Sequence, residues 1–119
     1  MGRYIDVASI IQVIGSVYLN PSLLDNEKYH FNSEDFTEEF HRIIFGSIYN
    51  LYQLGAKEIT INTITDYLET RPSKLAIFKI NNGVEWLNKV KNSVQLATLD
   101  YYYNRMKKMT LFRMYQSIG

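Results

Sequence analysis

The sequence of 119 residues has no cysteine, only two histidines and no long apolar run. Without cysteine the chain has no disulfide framework, no thiolate nucleophile and no cysteine-based metal site. The histidines, His30 and His41, do not form an H-E-x-x-H pattern, so we expect no metal centre. No apolar segment approaches the ~18 residues of a membrane span, and Met1 to Asp6 carry no apolar core of a signal peptide. We therefore expect a cytoplasmic protein without membrane contacts.

Catalytic patterns are also missing. None of the six glycines is spaced for a phosphate-binding loop or a dinucleotide fingerprint, and no serine lies in G-x-S-x-G. The acidic pairs Glu34-Asp35 and Glu38-Glu39 resemble acid/base carboxylates, but negative charge at a helix start explains them better. His41, which could pair with Glu38, is interpreted as a structural histidine. We expect no catalytic residue, cofactor site or metal site in these residues.

The segment from Phe36 to Gly55 has the strongest helical pattern. Glu38 and Glu39 fall in its first turn, Thr37 is the predicted N-cap, and Gly55 is the predicted stop. Apolar residues recur at steps of three and four, which is typical of a core-facing helix. They are Phe40, Ile43, Ile44, Ile48 and Leu51.

An earlier helix is predicted to begin after Asp6, its N-cap, and to end at Asn20-Pro21. Its apolar residues also follow the helical period. Gly15 interrupts this pattern at a cost of ~1 kcal/mol relative to alanine, so we expect another helix to approach closely there. The predicted common core consists of Ile14, Val17, Phe40, Ile44, Ile48, Leu51 and Leu68.

The middle of the chain gives weaker signals. Ile59 to Ile61 is β-branched and predicted to be extended, with Asn62 as the N-cap of a short helix. Residues 75–80 fit a strand or a helix equally well. Asn81 to Gly83 form a turn signal, after which a further helix is expected.

The chain has an acidic front and a basic tail. Residues 1–40 carry two basic and seven acidic side chains, whereas residues 71–119 carry nine basic and two acidic ones. In the last predicted helix an apolar seam runs at heptad-like steps. The basic residues beside it either face water, neutralise a nucleic acid, or flank a helix–helix interface. These interpretations stay open on the residues alone; the resemblance given below favours an interface, whose partner-binding residues would be Tyr101, Tyr102, Arg105, Met106, Met109, Phe112 and Arg113.

Five short motifs, in order over most of the chain, resemble the N-terminal domain of DnaB-type hexameric replicative DNA helicases. Each is weak alone, and together they are moderately specific. The departures are Ile10-Ile11 where the family has Glu-Gln, Thr60 where it has Asp, and Asn82 where it has Gly. They indicate a divergent member, with a phage as a possible source. The motifs comprise V-I-G-S-V-Y-L-N-P (13–21), Phe36 with His41, Ile44-Phe45 and Leu51 followed by Gly55, Thr63-Ile64 with Leu68, N-G-V-E-W-L (82–87), and residues 101–113.

The resemblance implies an all-α domain that forms the collar of a ring hexamer. Residues 1–96 would be the globular part, and residues 97–119 the first helix of a dimerisation hairpin. It also implies self-association, docking of primase or a helicase loader, and contact with DNA only through the full assembly. ATP and Mg²⁺ would belong to a C-terminal motor, whose phosphate-binding lysine motif these residues lack. Two alternatives stay open: a winged-helix DNA-binding domain, which requires a β-hairpin, and a stand-alone adaptor or inhibitor of a helicase.

Overall fold

A computed structural model of the protein describes residues 5–118, and the described residues form α-helices and short 3₁₀ helices without a β-strand. This confirms the predicted all-α fold. It also removes the basis of the winged-helix alternative, since no β-hairpin occurs in that part of the chain. The α-helices are α1 (Val7–Leu19), α2 (Glu39–Gln53), α3 (Ile61–Glu69), α4 (Pro72–Ile80), α5 (Gly83–Ser93) and α6 (Leu99–Ile118). The 3₁₀ helices are Pro21–Asp25, Ser33–Asp35 and Leu96–Thr98.

The first helix, α1, contacts α2, α5 and α6 and so lies at the centre of the domain. It begins as predicted, because the Asp6 side chain accepts a hydrogen bond of 3.0 Å from the Ser9 amide. It ends before Pro21, which opens a 3₁₀ helix. Val13, Ile14 and Val17 are completely buried. The α1 surface therefore supplies a large part of the core, which burial of apolar area stabilises.

The central helix α2 starts one residue later than predicted. Thr37 is not its N-cap; Glu38 holds that position and makes no capping hydrogen bond through its side chain. The end is as predicted, with Gly55 at a φ of 105°. The amides of Gly55 and Ala56 donate to the carbonyls of Tyr52 and Leu51, the paired bonds of a Schellman motif.

The predicted core is confirmed in six of its seven residues. Leu51 is the exception: it is only partly buried and packs against the edge of the cluster. The other six belong to one buried cluster with side chains of α4, α5 and α6. They are Ile14, Val17, Phe40, Ile44, Ile48 and Leu68.

Thr60 is extended as predicted, but Ile61, which was also predicted to be extended, begins the helix, and the N-cap is Thr60 rather than Asn62. Thr60 Oγ1 accepts from the Thr63 amide at 3.2 Å, and Thr63 Oγ1 accepts from the Thr60 amide at 2.9 Å. This reciprocal pair is a capping box. The satisfied amides explain why the helix starts two residues earlier than the sequence pattern predicted.

The ambiguous segment 75–80 is helical and belongs to α4. The turn between α4 and α5 is confirmed, since Asn82 adopts the left-handed conformation with a φ of 54°. Asparagine is the residue that tolerates this region best after glycine. The polypeptide therefore reverses there by a helix–helix turn.

The last helix, α6, extends for about 30 Å at ~1.5 Å per residue. Leu99, Tyr103 and Met106 from its first half lie in the same buried cluster as α1 and α2. The predicted division after residue 96 falls in the 3₁₀ helix before α6, yet the first turns of α6 complete the core. Whether a second helix follows to form a hairpin stays a prediction.

Candidate partner-binding surface

The two halves of α6 have different surroundings. In the first half Leu99 and Met106 are 4% and 1% exposed, because this face packs on α1. Beyond Met109 the domain covers only one side of the helix, where Thr110 is buried, and Leu111, Met114 and Tyr115 are 47%, 51% and 64% exposed. These three positions follow the spacing of one side of a helix. We call Leu111, Met114 and Tyr115 the outer ridge of α6.

The seven predicted partner-binding residues do not lie on one face. Met106 belongs to the core of its own domain, whereas Tyr101 is 60% exposed. Arg105 is exposed and pairs with Asp6 at 2.6 Å. The sequence pattern identified the apolar side of α6. In the first half of the helix, the rest of the domain covers this side. The partly buried remainder consists of Tyr102, Met109, Phe112 and Arg113.

A buried carboxylate holds the second half of α6, and sequence analysis missed it. Asp35, which is fully buried, accepts hydrogen bonds from the Lys107 ammonium at 2.8 Å and the Thr110 hydroxyl at 2.7 Å. It also accepts from the amide of Asn32 at 2.9 Å, within a capping box. One turn further, Arg113 donates to the Glu34 carbonyl at 2.8 Å. We call Asp35, Lys107 and Thr110 the Asp35 clamp. The N-x-x-D spacing signals the capping box, but nothing in the sequence signals partners more than seventy residues away.

Part of the charge gradient of the sequence is paired within the molecule. All three ion pairs in the described residues join the front of the chain to α6. Two of them pair an acidic front residue with a basic α6 residue: Asp6 with Arg105, and Asp35 with Lys107. Hydrogen bonds from Arg105 and Ser9 outweigh the effect of burial and lower the pKa of Asp6. Part of the gradient therefore serves to attach α6 to the front of the chain.

Aromatic rings fix the segment between the first two 3₁₀ helices. The Tyr103 hydroxyl accepts from the His30 amide at 2.7 Å and donates to the His30 carbonyl at 3.1 Å. The Tyr103 ring meets the rings of Tyr29 and Phe31 edge-on, with centroids 4.9 Å and 5.7 Å away. Phe31 in turn contacts Phe45 of α2 at 5.2 Å. This cluster ties the segment to both α2 and α6.

His41 is a structural residue, as predicted from its place in the sequence. It is 4% exposed, beside the rings of Phe40 and Trp86. Burial lowers its pKa, and the charge of Glu38 only partly opposes this. Its Nδ1 has no hydrogen-bond partner among the described residues. A neutral imidazole enclosed in this way has no access to a substrate.

Residues 5–118 contain neither a metal-binding cluster nor a membrane-spanning helix. No group of three His, Asp or Glu side chains in that range is placed to hold a metal ion. No helix of the described chain is long and apolar enough to cross a membrane. The surface of α6 is the candidate site in the described residues.

The motif glycines have steric roles. A Cβ on Gly15 would lie 2.3 Å from Cγ2 of Val94 and 2.4 Å from Cγ1 of Val90, so α5 closes on α1 only because that atom is absent. The neighbouring side chains, rather than a backbone, occupy the space. A Cβ on Gly83 would lie 2.3 Å from the Phe78 ring. Both glycines permit core packing.

Two departures from the family pattern keep the backbone role of the residue they replace. Thr60, where the family has Asp, caps α3 through its hydroxyl, and both residue types are good N-caps. Asn82, where the family has Gly, supports a left-handed φ. The third departure differs, since Ile10 is 2% exposed and adds an apolar side chain to the core.

Comparison with known proteins agrees with these motifs. The sequence model of the DnaB-like helicase N terminal domain matches residues 11–108. The SPbeta prophage-derived uncharacterized protein YorI of Bacillus subtilis (strain 168) is 34% identical over 115 residues, which is 96% of this chain and 23% of that protein. Its prophage origin agrees with the phage source that the divergent motifs suggested. No solved structure gives a significant match. The chain belongs to the family of DnaB-like helicase N-terminal domains.

Proposed function

We propose that this domain is the N-terminal assembly module of a replicative DNA helicase and joins neighbouring subunits through the outer ridge of α6. The observation that carries the proposal is the exposure of Leu111 and Tyr115 on a helix whose first half packs one face on the core of its own domain. Apolar and aromatic side chains are enriched at the cores of protein interfaces. Exposing them on one side of a helix costs solubility unless a partner covers them.

The Asp35 clamp supports this role because it fixes the direction of the outer ridge. Lys107 lies one turn before Leu111 and Thr110 lies directly before it, and both bind a carboxylate that is anchored in a separate 3₁₀ helix. A ridge held at a fixed angle loses less conformational entropy when it binds than a frayed helix end does. Among the residues predicted from sequence, Tyr101, Met109, Phe112 and Arg113 would flank the contact, and Met106 would support it from the core.

The wider functions follow from the family and are part of the proposal. We propose that the domain acts in the cytoplasm during DNA replication, as part of a hexameric ring whose collar docks primase or a helicase loader. It contributes no catalytic group: ATP and Mg²⁺ act in a separate motor domain, and DNA is contacted through the whole assembly. The curated relative is much longer than this chain, which covers 23% of it.

Sedimentation equilibrium across micromolar concentrations, at low and at high salt, tests the interface. We expect self-association that persists in high salt, since an apolar contact is screened little. Leu111→Asp combined with Tyr115→Asp should leave a monomer with unchanged circular dichroism. The matched control is Leu54→Asp, at a side chain that is 78% exposed at the end of α2. A wild-type protein that stays monomeric, or a control that dissociates as fully as the double variant, would contradict the proposal.

A further inference from the structure

A groove runs along the solvent side of α2 and ends at the outer ridge of α6. It consists of two adjoining cavities, of about 490 Å³ and about 290 Å³, which share Arg42 in their lining. Met114 of the outer ridge lines the smaller cavity. We call the two cavities together the α2 groove. The groove and the ridge therefore lie side by side on one surface of the domain.

The floor of the α2 groove is a stripe of residues on one side of α2. Arg42, Phe45, Gly46 and Tyr49 line the larger cavity and occupy positions i, i+3, i+4 and i+7 of the helix. The core residues of α2 lie on its other side. One side of α2 thus packs in the domain, and the other side forms a concave surface that faces solvent.

Aromatic rings form much of the wall of the α2 groove. The ring of Phe45 lies 4.9 Å from that of Phe36 and 5.2 Å from that of Phe31, measured between centroids. Tyr49, at the far end of the stripe, is 45% exposed and stacks on Phe45 at 6.5 Å. Aromatic side chains bury a large apolar area when a partner covers them. The groove therefore suits a partner that presents apolar side chains.

Gly46, in the middle of the floor, has no steric role in its own domain. A Cβ on Gly15 or Gly83 would lie 2.3 Å from a neighbouring side chain, whereas a Cβ on Gly46 would meet no atom of the described chain within 4 Å. Apart from proline, glycine is the weakest helix former, and it is used where another group approaches the backbone closely. The missing side chain at Gly46 leaves room for a group from outside the domain.

We propose that the α2 groove of one copy receives the outer ridge of a second copy. The inference rests on the proposed function and names the surface that the ridge contacts. Leu111 and Tyr115 lie over Gly46 and contact the rings of Phe45 and Tyr49 of the other copy. Each copy carries both surfaces, so a twofold axis between two copies forms the contact twice and closes the pair.

The dimensions and the charge of the groove favour a second copy as the occupant. The ridge from Leu111 to Tyr115 extends ~6 Å along α6, and the stripe from Arg42 to Tyr49 extends ~10 Å, so the groove accommodates the whole ridge. A stable interface takes about 20–30 residues a side, so the surface beside the ridge has to take part. A nucleic acid would require several cations, and Arg42 is the single Arg or Lys among the described residues of the larger cavity.

Sedimentation equilibrium of the Gly46→Gln variant tests the groove. The glutamine side chain fills the floor, so we expect self-association to be at least about tenfold weaker than in the wild type. The matched control is Glu39→Gln, at an exposed residue of α2 outside both cavities, which should associate like the wild type.

The fold of the Gly46→Gln variant should persist, because a Cβ has space there and glutamine is a better helix former than glycine. Denaturant unfolding checks this in the background of Leu111→Asp and Tyr115→Asp, in which self-association through the ridge is absent. In that background Gly46→Gln should unfold at the same or a higher denaturant concentration.

Mixing the two kinds of variant distinguishes a contact of ridge with groove from a contact of ridge with ridge. The variant with Leu111→Asp and Tyr115→Asp keeps an intact groove, and Gly46→Gln keeps an intact ridge. Dimers should therefore reappear in the mixture at a concentration at which neither variant forms them alone. A contact of ridge with ridge predicts no recovery.

Disulfide cross-linking measures the same contact directly, because the chain has no cysteine of its own. One sample carries Gly46→Cys and a second carries Leu111→Cys. After mixing and oxidation, the dimer that joins position 46 to position 111 should exceed the one half of all cross-linked dimers that random pairing predicts.

The outcomes separate this inference from the proposed function. A wild-type protein that stays monomeric contradicts both. If the ridge variant dissociates while Gly46→Gln associates like the wild type, the inference alone fails and the ridge contacts another surface. Absence of dimers in the mixture, or cross-links in random proportion, also overturns it. A Gly46→Gln variant that is less stable in the ridge-variant background contradicts it as well, since Gly46 would then serve its own fold.

Discussion

Gly15 attaches α1 to α5 because it lacks a side chain, whereas Asp35 attaches α6 to the front of the chain because it carries a charge. The first contact is apolar and steric, and it lies in a motif that identifies the family. The second is polar, and its three partners are distributed over two distant segments. Packing contacts tolerate salt and changes of pH, while a buried ion pair depends on both partners being present. The core thus follows the family pattern, and the ridge of α6 is positioned by individual polar contacts.

The largest effect should come from removing the charge of the clamp. Asp35→Ala leaves the Lys107 ammonium and the Thr110 hydroxyl without their acceptor, so we expect a loss of about 2–4 kcal/mol in the free energy of unfolding. The partial exposure of Lys107, 28%, keeps the loss from being larger. Denaturant titration measures it, and hydrogen exchange should show the greatest increase at residues 107–113.

The neighbouring acidic residue is a matched control for the clamp. Glu34 is exposed, and Arg113 binds its carbonyl rather than its side chain. Glu34→Ala should therefore change stability by less than ~0.5 kcal/mol. If the Asp35 and Glu34 variants lose the same amount, Asp35 does not hold α6 and the comparison with Gly15 fails.

The steric contact of α1 with α5 can be broken by one methyl group. Gly15→Ala places a Cβ 2.3 Å from a methyl of Val94, a β-branched side chain that cannot turn away freely, and should cost about 1–3 kcal/mol. Gly46→Ala, within α2, meets nothing within 4 Å and should instead stabilise by up to ~1 kcal/mol. In a Val94→Ala background the cost of Gly15→Ala should shrink, as a double-mutant cycle would measure. An unchanged cost there would mean that Val94 is not the obstacle.

The sequence predicted the core better than the surface, for physical reasons. Period and glycine placement revealed α1, α2 and the close approach at Gly15, because these depend on neighbours along the chain or on one missing side chain. Thr60 and Asn62 are both able to cap a helix, and only the reciprocal bond with Thr63 decides between them. The period of α6 identified its apolar side, but not whether its own domain or a partner covers it. The contact of Asp35 with α6 gave no signal because Lys107 and Thr110 are far away in sequence.

A change of pH should alter the free energy of unfolding through His41 but not through the surface histidine, His30. Since the pKa of His41 is lowered from its ordinary 6.5 in the folded state, the unfolded chain binds more protons as the pH falls below that value. The free energy of unfolding should therefore decline from about pH 7 to about pH 5.5, by no more than ~1.4 kcal/mol per pH unit. His41→Gln should remove this slope, whereas His30→Gln, at an exposed residue, should keep it. A slope that disappears with the His30 variant would show that another region controls it.

The smallest expected effect on stability tests whether Thr60 replaces the Asp of the family pattern without loss. Thr60→Ala removes the hydroxyl that accepts from the Thr63 amide and should cost about 1 kcal/mol. Thr60→Asp restores the residue that the resemblance predicts and should differ from the wild type by less than ~0.5 kcal/mol, because a carboxylate caps equally well and favours the helix dipole. Thermal unfolding of the two variants beside the wild type makes the measurement. An Asp variant as unstable as the Ala variant would mean that Thr60 also acts through its methyl group, and that this position cannot be exchanged between relatives on capping alone.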